Sequence, residues 1–186
     1  RTREIAEKTI TLSKAHGYSF CLGGALGAMG WVLGEEGQLE EGINMIHQGL
    51  AILKESGSWL LYQQELSMLA DTYCKAGKIS EGLAVIKEAL VMVREKGFLL
   101  EEPEFHRIKG ELLLLERGAT EEAQVCFQRA IEIARRLKAK FWELRATMSL
   151  CRLLQKQGKR AQARNMLAEI YNWFTEGFDT PELQEA

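Results

Sequence analysis

The stretch GKISEGLAVIKEAL at positions 77–90 recurs in degenerate form three more times, and each copy begins at a glycine or its equivalent turn. The other copies are GQLEEGINMIHQGL at 37–50, GATEEAQVCFQRAI at 118–131 and GKRAQARNMLAEIY at 158–171. Their leading glycines lie 40, 41 and 40 residues apart, and Gly17, Gly57 and Gly97 form a second series with the same spacing of 40. A fixed period of this length is typical of a repeat array in which each period holds two helices.

The glycines and the 3.6-residue apolar spacing predict one half-repeat, four helix pairs and the start of a last helix. The half-repeat is 1–17, the pairs are 18–57, 58–97, 98–139 and 140–177, and the terminal helix begins within 178–186. Within the pairs we expect helices at 18–36 and 39–56, 58–76 and 79–96, 103–116 and 120–138, and 140–157 and 160–175. Lys138 replaces the glycine expected after the third pair, which predicts a weaker or different cap. We interpret 1–186 as a single repeat domain and as a fragment of a longer protein.

Small residues recur at three positions of this repeat, where two helix backbones should approach closely. These positions are occupied by Gly30, Ala70, Gly110 and Cys151 on the first helices, by Gly42, Gly82, Ala123 and Ala163 on the second helices, and seven residues later by Gly49, Ala89, Ala130 and Ile170. Eleven of these twelve residues are small, and the exception, Ile170, indicates that the final pair is adapted as a cap. We expect seven of them to be almost fully buried: Ala70, Ala89, Gly110, Ala123, Ala130, Cys151 and Ala163.

The pattern of small and large positions resembles the tetratricopeptide repeat (TPR), with a period of 40 or 41 instead of the usual 34. The resemblance implies an all-α, right-handed superhelix of antiparallel helix pairs. Local strings are also similar to the C-terminal repeat region of large bacterial regulators that carry a cyclase-like or DNA-binding domain and a signalling NTPase. These strings are Gly30-Trp31, Glu41-Gly42-Ile43, 110–114 (GELLL), 142–146 (WELRA) and 173–181 (WFTEGFDTP).

The composition limits the possible partners and cofactors. A net charge of −2 argues against nucleic acid, since phosphate binding requires a basic excess. No apolar run approaches the ~20 residues of a membrane span, and no signal peptide is visible, so we expect a cytoplasmic location. The four cysteines form no C-x-x-C pair and no metal-ligand spacing with histidine, which predicts free thiols, no metal and no cofactor.

The sequence contains a glycine-rich run and three histidines, but neither forms a known catalytic or phosphate-binding motif. The glycine-rich run at 23–30 lacks the Lys-Ser/Thr of a P-loop, and its glycines follow helical spacing, which favours close helix packing. His16, His47 and His106 lie in three different helices, where a structural or solvated role is the more common one. The sequence therefore predicts no enzyme activity in this chain.

The first helices of TPR arrays line the concave groove, and the polar residues expected there become more basic along the chain. They are Trp31, Glu35, Gln64, Asp71, Lys75, Glu104, Arg107, Glu111, Arg145, Arg152 and Lys156. One hypothesis is a peptide or acidic segment whose negative end lies near the last pair. The other is ion pairing between neighbouring repeats, Glu104 with Arg145 and Glu111 with Arg152, which leaves Trp31 and Lys156 as the better ligand candidates.

Two functions follow from these interpretations. The first is a non-enzymatic protein-interaction and regulatory module of a bacterial signalling protein, which binds a partner or peptide in the groove. The alternative is a small-molecule-sensing arm, with the glycine-rich helix leaving room for a ligand near Trp31. We also expect the terminal helices to expose apolar faces and to support self-association.

Overall fold

The protein is almost entirely helical in the computed structural model, which describes residues 2–97, 99–116 and 118–186. Of the described residues, 82% lie in helices and none lies in a strand. The helices are α1 (Thr2–His16), α2 (Ser19–Glu35), α3 (Leu39–Glu55), α4 (Trp59–Lys75), α5 (Ile79–Lys96), α6 (Glu102–Leu115), α7 (Thr120–Leu137), α8 (Lys140–Lys156), α9 (Arg160–Tyr171) and α10 (Pro181–Glu185). The predicted all-α fold is therefore confirmed.

The chain forms two compact units, Arg1–Glu101 and Glu102–Ala186, a division that the repeat pattern does not indicate. In the first unit each helix from α1 to α5 packs on the next, and the first helices α2 and α4 also touch. In the second unit α6, α7, α8 and α9 pack in succession, and α6 also touches α8. Short turns join the paired helices, so the members of a pair run antiparallel.

Left-handed residues end the helices at the places where the sequence has glycine. Gly37 has a φ of 84°, and the amide of Gln38 donates to the carbonyl of Leu33 over 2.9 Å. At the turn without glycine, Lys138 adopts the same conformation with a φ of 56°, and the amide of Ala139 donates to the carbonyl of Ala134 over 2.9 Å. The cap after α7 therefore differs from the glycine caps only in its residue, because its backbone conformation and its hydrogen bond are the same.

The small positions are buried, as predicted. Ala70, Ala89, Ala123 and Ala130 have no exposed surface, and Cys151 is 3% exposed. The closest crossing is that of α2 with α3, where a Cβ atom on Gly30 would lie 2.5 Å from the carbonyl oxygen of Gly42. Only glycine fits at that position, since the obstacle is backbone that cannot rotate away.

The C-terminal end differs from the prediction. Helix α9 ends at Tyr171, four residues before the expected limit of 175, so Trp173 lies outside the helix and is 57% exposed. Thr180 and Pro181 take the expected N-cap and N1 positions of α10. The Thr180 hydroxyl, however, donates to the carbonyl of Gly177 over 2.7 Å and does not cap the helix.

Candidate interaction surface

In the first unit, the predicted groove residues on α2 and α4 form an ion-pair cluster. Lys75 contacts Glu35 on the neighbouring first helix and lies 2.7 Å from the carboxylate of Asp71 on its own helix. Burial lowers the pKa of Lys75, but the two carboxylates outweigh this effect and raise the pKa. The three charges are therefore largely used to join α2 to α4.

The uncharged candidates of the same surface are more available. Trp31 is half-buried on α2, and Gln64 is exposed on α4. Neither side chain makes a hydrogen bond to another residue in the described part of the chain. Both can therefore contact a bound partner without breaking an internal interaction.

The second unit has a buried charge cluster at the start of α6. Arg107 donates to both carboxylate oxygens of Glu104, over 2.9 and 2.7 Å, and both residues are less than a tenth exposed. Arg145 on α8 lies 3.0 Å from the same carboxylate. The predicted pairing of Glu104 with Arg145 is confirmed, and it connects two successive first helices.

The second predicted pair, Glu111 with Arg152, is wrong. Arg152 instead lies 2.6 Å from Glu185 on α10. Glu111 accepts a hydrogen bond from Ser149 over 2.6 Å and lies 3.6 Å from Arg107. Ser149 lies one turn before Arg152 on α8. Its hydroxyl occupies the position beside Glu111 that the sequence predicted for the guanidinium of Arg152.

Helix α10 lies over the basic end of this surface. Glu182 is 3.6 Å from Arg145, Glu185 pairs with Arg152, and Leu183 is buried against Leu144 and other apolar residues. A hollow of about 150 Å³ remains between the arginines and the two glutamates of α10. An acidic segment with one leucine is thus the kind of chain that this surface already accommodates.

Lys156 is the predicted groove residue whose charge remains available. It is the last residue of α8, one turn beyond Arg152, and it is exposed. No ion pair joins it to a residue in the described ranges. The prediction that Lys156 lacks an internal partner agrees with the structure.

The three histidines have structural surroundings. His47 shares a hydrogen bond of 2.9 Å with the Tyr73 hydroxyl, and His16 stacks on Tyr18. Burial, together with the nearby charges of Arg129 and Lys109, lowers the pKa of His106 to about 4, so this side chain is neutral at pH 7. Within the described residues, His, Cys, Asp and Glu side chains form no cluster that could hold a metal ion.

No disulfide joins Cys21, Cys74, Cys126 and Cys151, as predicted. Cys126 and Cys151 are buried, Cys74 is half-buried and Cys21 is exposed. Burial raises the pKa of Cys126 and of Cys151, which disfavours the reactive thiolate form. These two buried cysteines therefore act as small apolar side chains of the core.

Glu65 from α4 occupies the space beside Gly27 in the glycine-rich run of α2. A Cβ atom on Gly27 would lie 2.3 Å from the Glu65 carboxyl carbon, and one on Gly49 would lie 2.6 Å from a Glu65 oxygen. Both Glu65 oxygens are buried without a hydrogen-bond partner, and burial raises the pKa of this carboxyl to about 8. The sequence analysis did not identify Glu65. The signal was the presence of glycines on two adjacent helices, Gly27 on α2 and Gly49 on α3, which together leave space for a side chain from a third helix.

The fold is similar to that of a solved TPR-like protein. No family model matches the chain, and a search of curated proteins finds no significant match. Among solved structures, the chain is similar to a kinesin-light-chain-like protein from Podosopora anserina with nearly identical TPR-like repeats, at a TM-score of 0.57 and 17% identity. The alignment covers 91% of this chain and 84% of that one. The chain therefore has a TPR-like helical-repeat fold.

None of the described helices is long and apolar enough to cross a membrane.

Proposed function

We propose that this chain is a protein-interaction module that binds an acidic segment of a partner on the first-helix surface of its second unit. The observation that carries the proposal is the seating of α10, whose Glu182 and Glu185 lie against Arg145 and Arg152 while Leu183 is buried. A partner segment of similar chemistry would meet the same arginines and, in addition, the exposed Lys156.

A partner's carboxylate can replace Glu185 beside Arg152 at a small cost in free energy. The side chains of Arg152 and Glu185 are 46% and 61% exposed, and ion pairs in such positions contribute about 0–1 kcal/mol to stability. Arg107 and Glu104 are different, because both are buried and support each other. We assign partner contact to Arg145, Arg152 and Lys156, and a supporting role to Glu104 and Arg107.

The first unit offers separate candidate contacts. Trp31 and Gln64 supply an aromatic face and a free amide, whereas Glu35, Asp71 and Lys75 mainly hold α2 against α4. Aromatic side chains are enriched among the residues that contribute most to protein interfaces. We propose Trp31 as the residue of this unit with the largest contribution to binding.

A charge reversal at Lys156 tests the proposed surface. The probe is a fluorescently labelled peptide with the sequence of residues 180–186 followed by two glutamates, which extend it beyond Arg152 towards Lys156, and binding is measured by anisotropy at low and high salt. Lys156→Glu should weaken binding about tenfold, and higher salt should weaken binding to the parent protein, since the contacts are screened charges. The matched control is Lys87→Glu, an exposed lysine of α5 in the other unit. Equal affinity of the parent and both variants would contradict the proposal.

The wider role follows the sequence resemblance. We propose that the chain is a non-enzymatic, cofactor-free regulatory region of a longer bacterial signalling protein that works in the cytoplasm. The strings around Trp31, Trp142 and Trp173 support this context. The small-molecule-sensing alternative has no observation in its favour at α2, since Glu65 fills the space beside the glycines.

A further inference from the structure

A second groove lies in the same unit, away from the arginines, between the second helices α7 and α9. Its floor consists of Ile131 from α7, Leu150 and Leu154 from α8, and Met166 from α9. The first three are at most 5% exposed, and the groove has a volume of about 320 Å³. This volume is at the lower end of the range for ligand pockets, which suits one or two side chains.

The rim of this groove carries three glutamines, Gln124, Gln128 and Gln162. None of their amides bonds to another residue in the described part of the chain. Each amide offers one acceptor oxygen and two donor hydrogens. The rim therefore has hydrogen-bonding capacity on both sides of an apolar floor.

The charged residues of the rim already have partners outside the groove. Glu132 lies 2.8 Å from Arg129 on the same helix. Arg135 lies 2.7 Å from Glu143 and 3.7 Å from Glu169. The rim is thus electrically balanced, and the group that fits it is polar but uncharged.

The repeat-equivalent groove of the first unit lacks this rim. It lies between α3 and α5, with a volume of about 250 Å³, and residues 47 and 54 take the places of 128 and 135. His47 there is bonded to Tyr73, and Glu88 accepts a hydrogen bond of 2.9 Å from Tyr62. Unpaired amides are therefore a property of the α7/α9 groove and not of the repeat in general.

We propose that the α7/α9 groove binds an extended, uncharged peptide segment of a partner protein. One apolar side chain of the segment packs on Ile131, Leu150 and Leu154. The backbone N–H and C=O groups of the segment exchange hydrogen bonds with the amides of Gln124, Gln128 and Gln162, which have the same donor and acceptor chemistry. Charge complementarity favours this occupant over an acidic one, because the lining carries one glutamate and one arginine and therefore has no net charge.

The test uses the full chain and a capped synthetic peptide of serine and glycine with one central leucine. Binding is followed by NMR, through the side-chain amide signals of the glutamines. We expect saturable shifts at the three rim glutamines, and a dissociation constant that changes less than about twofold between low and high salt, since no net charge is exchanged. A peptide with aspartate in place of leucine should not bind.

Paired variants separate the groove from the rest of the surface. Gln128→Ala should weaken binding about fivefold, the equivalent of one lost hydrogen bond. Gln48→Ala, at an exposed glutamine of α3, should leave binding unchanged. Equal loss in both variants, shifts confined to glutamines away from this groove, or equal binding of the aspartate peptide would each overturn the proposal. Gln128 on α7 and Gln48 on α3 lie outside the hollow formed by Arg145, Arg152 and α10, so this result is independent of the proposed acidic-segment surface.

Discussion

Glu65 on α4 places its carboxyl group between the backbones of α2 and α3, and burial there keeps the group protonated at neutral pH. The side chain is 3% exposed, and the only cause of its raised pKa is desolvation. Residues 20–34 of α2 include no Asp, Glu, Lys, Arg or His, and on the α3 side the carboxyl group lies beside Gly49. A neutral carboxyl is tolerated in this position, whereas an ionised one has no counter-charge to stabilise it.

The stability of the protein should fall as the pH rises because of this residue. The pKa of Glu65 is about 8 in the folded protein, against an ordinary value of 4.5, so its contribution is fully present below 4.5 and is lost between 4.5 and 8. The slope for one such group approaches about 1.4 kcal/mol per pH unit within that window. Glu65→Gln stays neutral throughout, so it should be less sensitive to pH than the parent protein.

The measurement is the urea unfolding midpoint at several values between about pH 5 and pH 9, compared between the parent and Glu65→Gln. The difference between the two curves isolates Glu65, because His106 and the other titrating groups are common to both. The assignment is wrong if the two curves remain parallel across that range.

Lys138 is a second residue at which a single substitution is informative. It has a φ of 56° at a helix end where the equivalent turns have glycine. A residue with a Cβ atom is strained in this region, whereas glycine is not. Lys138→Gly should therefore stabilise the protein by ~0.5–1 kcal/mol, which thermal unfolding can detect. Lys78→Gly, at a turn residue with a φ of −85°, is the control and should give no gain.

At the scale of the helices, α2 contains glycines with opposite roles. Gly30 crosses Gly42 so closely that a Cβ atom would meet its carbonyl oxygen at 2.5 Å. At Gly24 the nearest atom is the end of the Leu61 side chain, at 3.2 Å, which can move. One glycine is thus required by packing, while the other lowers the stability of the helix without a steric reason.

Alanine substitutions at these two positions should have effects of opposite sign. Gly24→Ala should raise the unfolding free energy by ~0.5–1 kcal/mol through helix propensity. Gly30→Ala gains the same propensity but must separate α2 from α3, and it should lower the free energy by ~1–3 kcal/mol. Chemical denaturation of both variants measures the two values, and a stabilised Gly30→Ala protein would show that the crossing is less tight than described.

For the molecule as a whole, α1 presents an apolar face that is largely exposed. Ile5 and Leu12 lie two turns apart on this helix and are 56% and 58% exposed. Exposed apolar faces on a helix are common sites of contact with another molecule. We propose that this face supports self-association of the chain.

Sedimentation or light scattering over a range of protein concentrations tests this proposal. Ile5→Lys with Leu12→Lys should shift the protein towards monomer, because two charges would have to be desolvated at the contact. Leu60→Lys is the control, at a leucine of equal exposure, 58%, on α4. A monomeric parent protein at the highest concentration would contradict the proposal.

The sequence alone determined the repeat, because its signals are local. The turn glycines, the 3.6-residue apolar spacing and the small residues at Ala70, Ala89 and Ala130 each act within one or two helices. Helix ends were predicted to within one residue for most helices, and α9 is the exception, since Trp173 and the residues around it carry a helical pattern without forming a helix.

Only the tertiary structure decided which side chains meet across helices. The partner of Arg152 is Glu185 and not Glu111, because Glu111 accepts a hydrogen bond from Ser149. The glycines of α2 accommodate Glu65 from a helix some 40 residues away along the chain. Such contacts depend on how two helices are rotated against each other and on the length of each side chain. Neither can be derived from the repeat period.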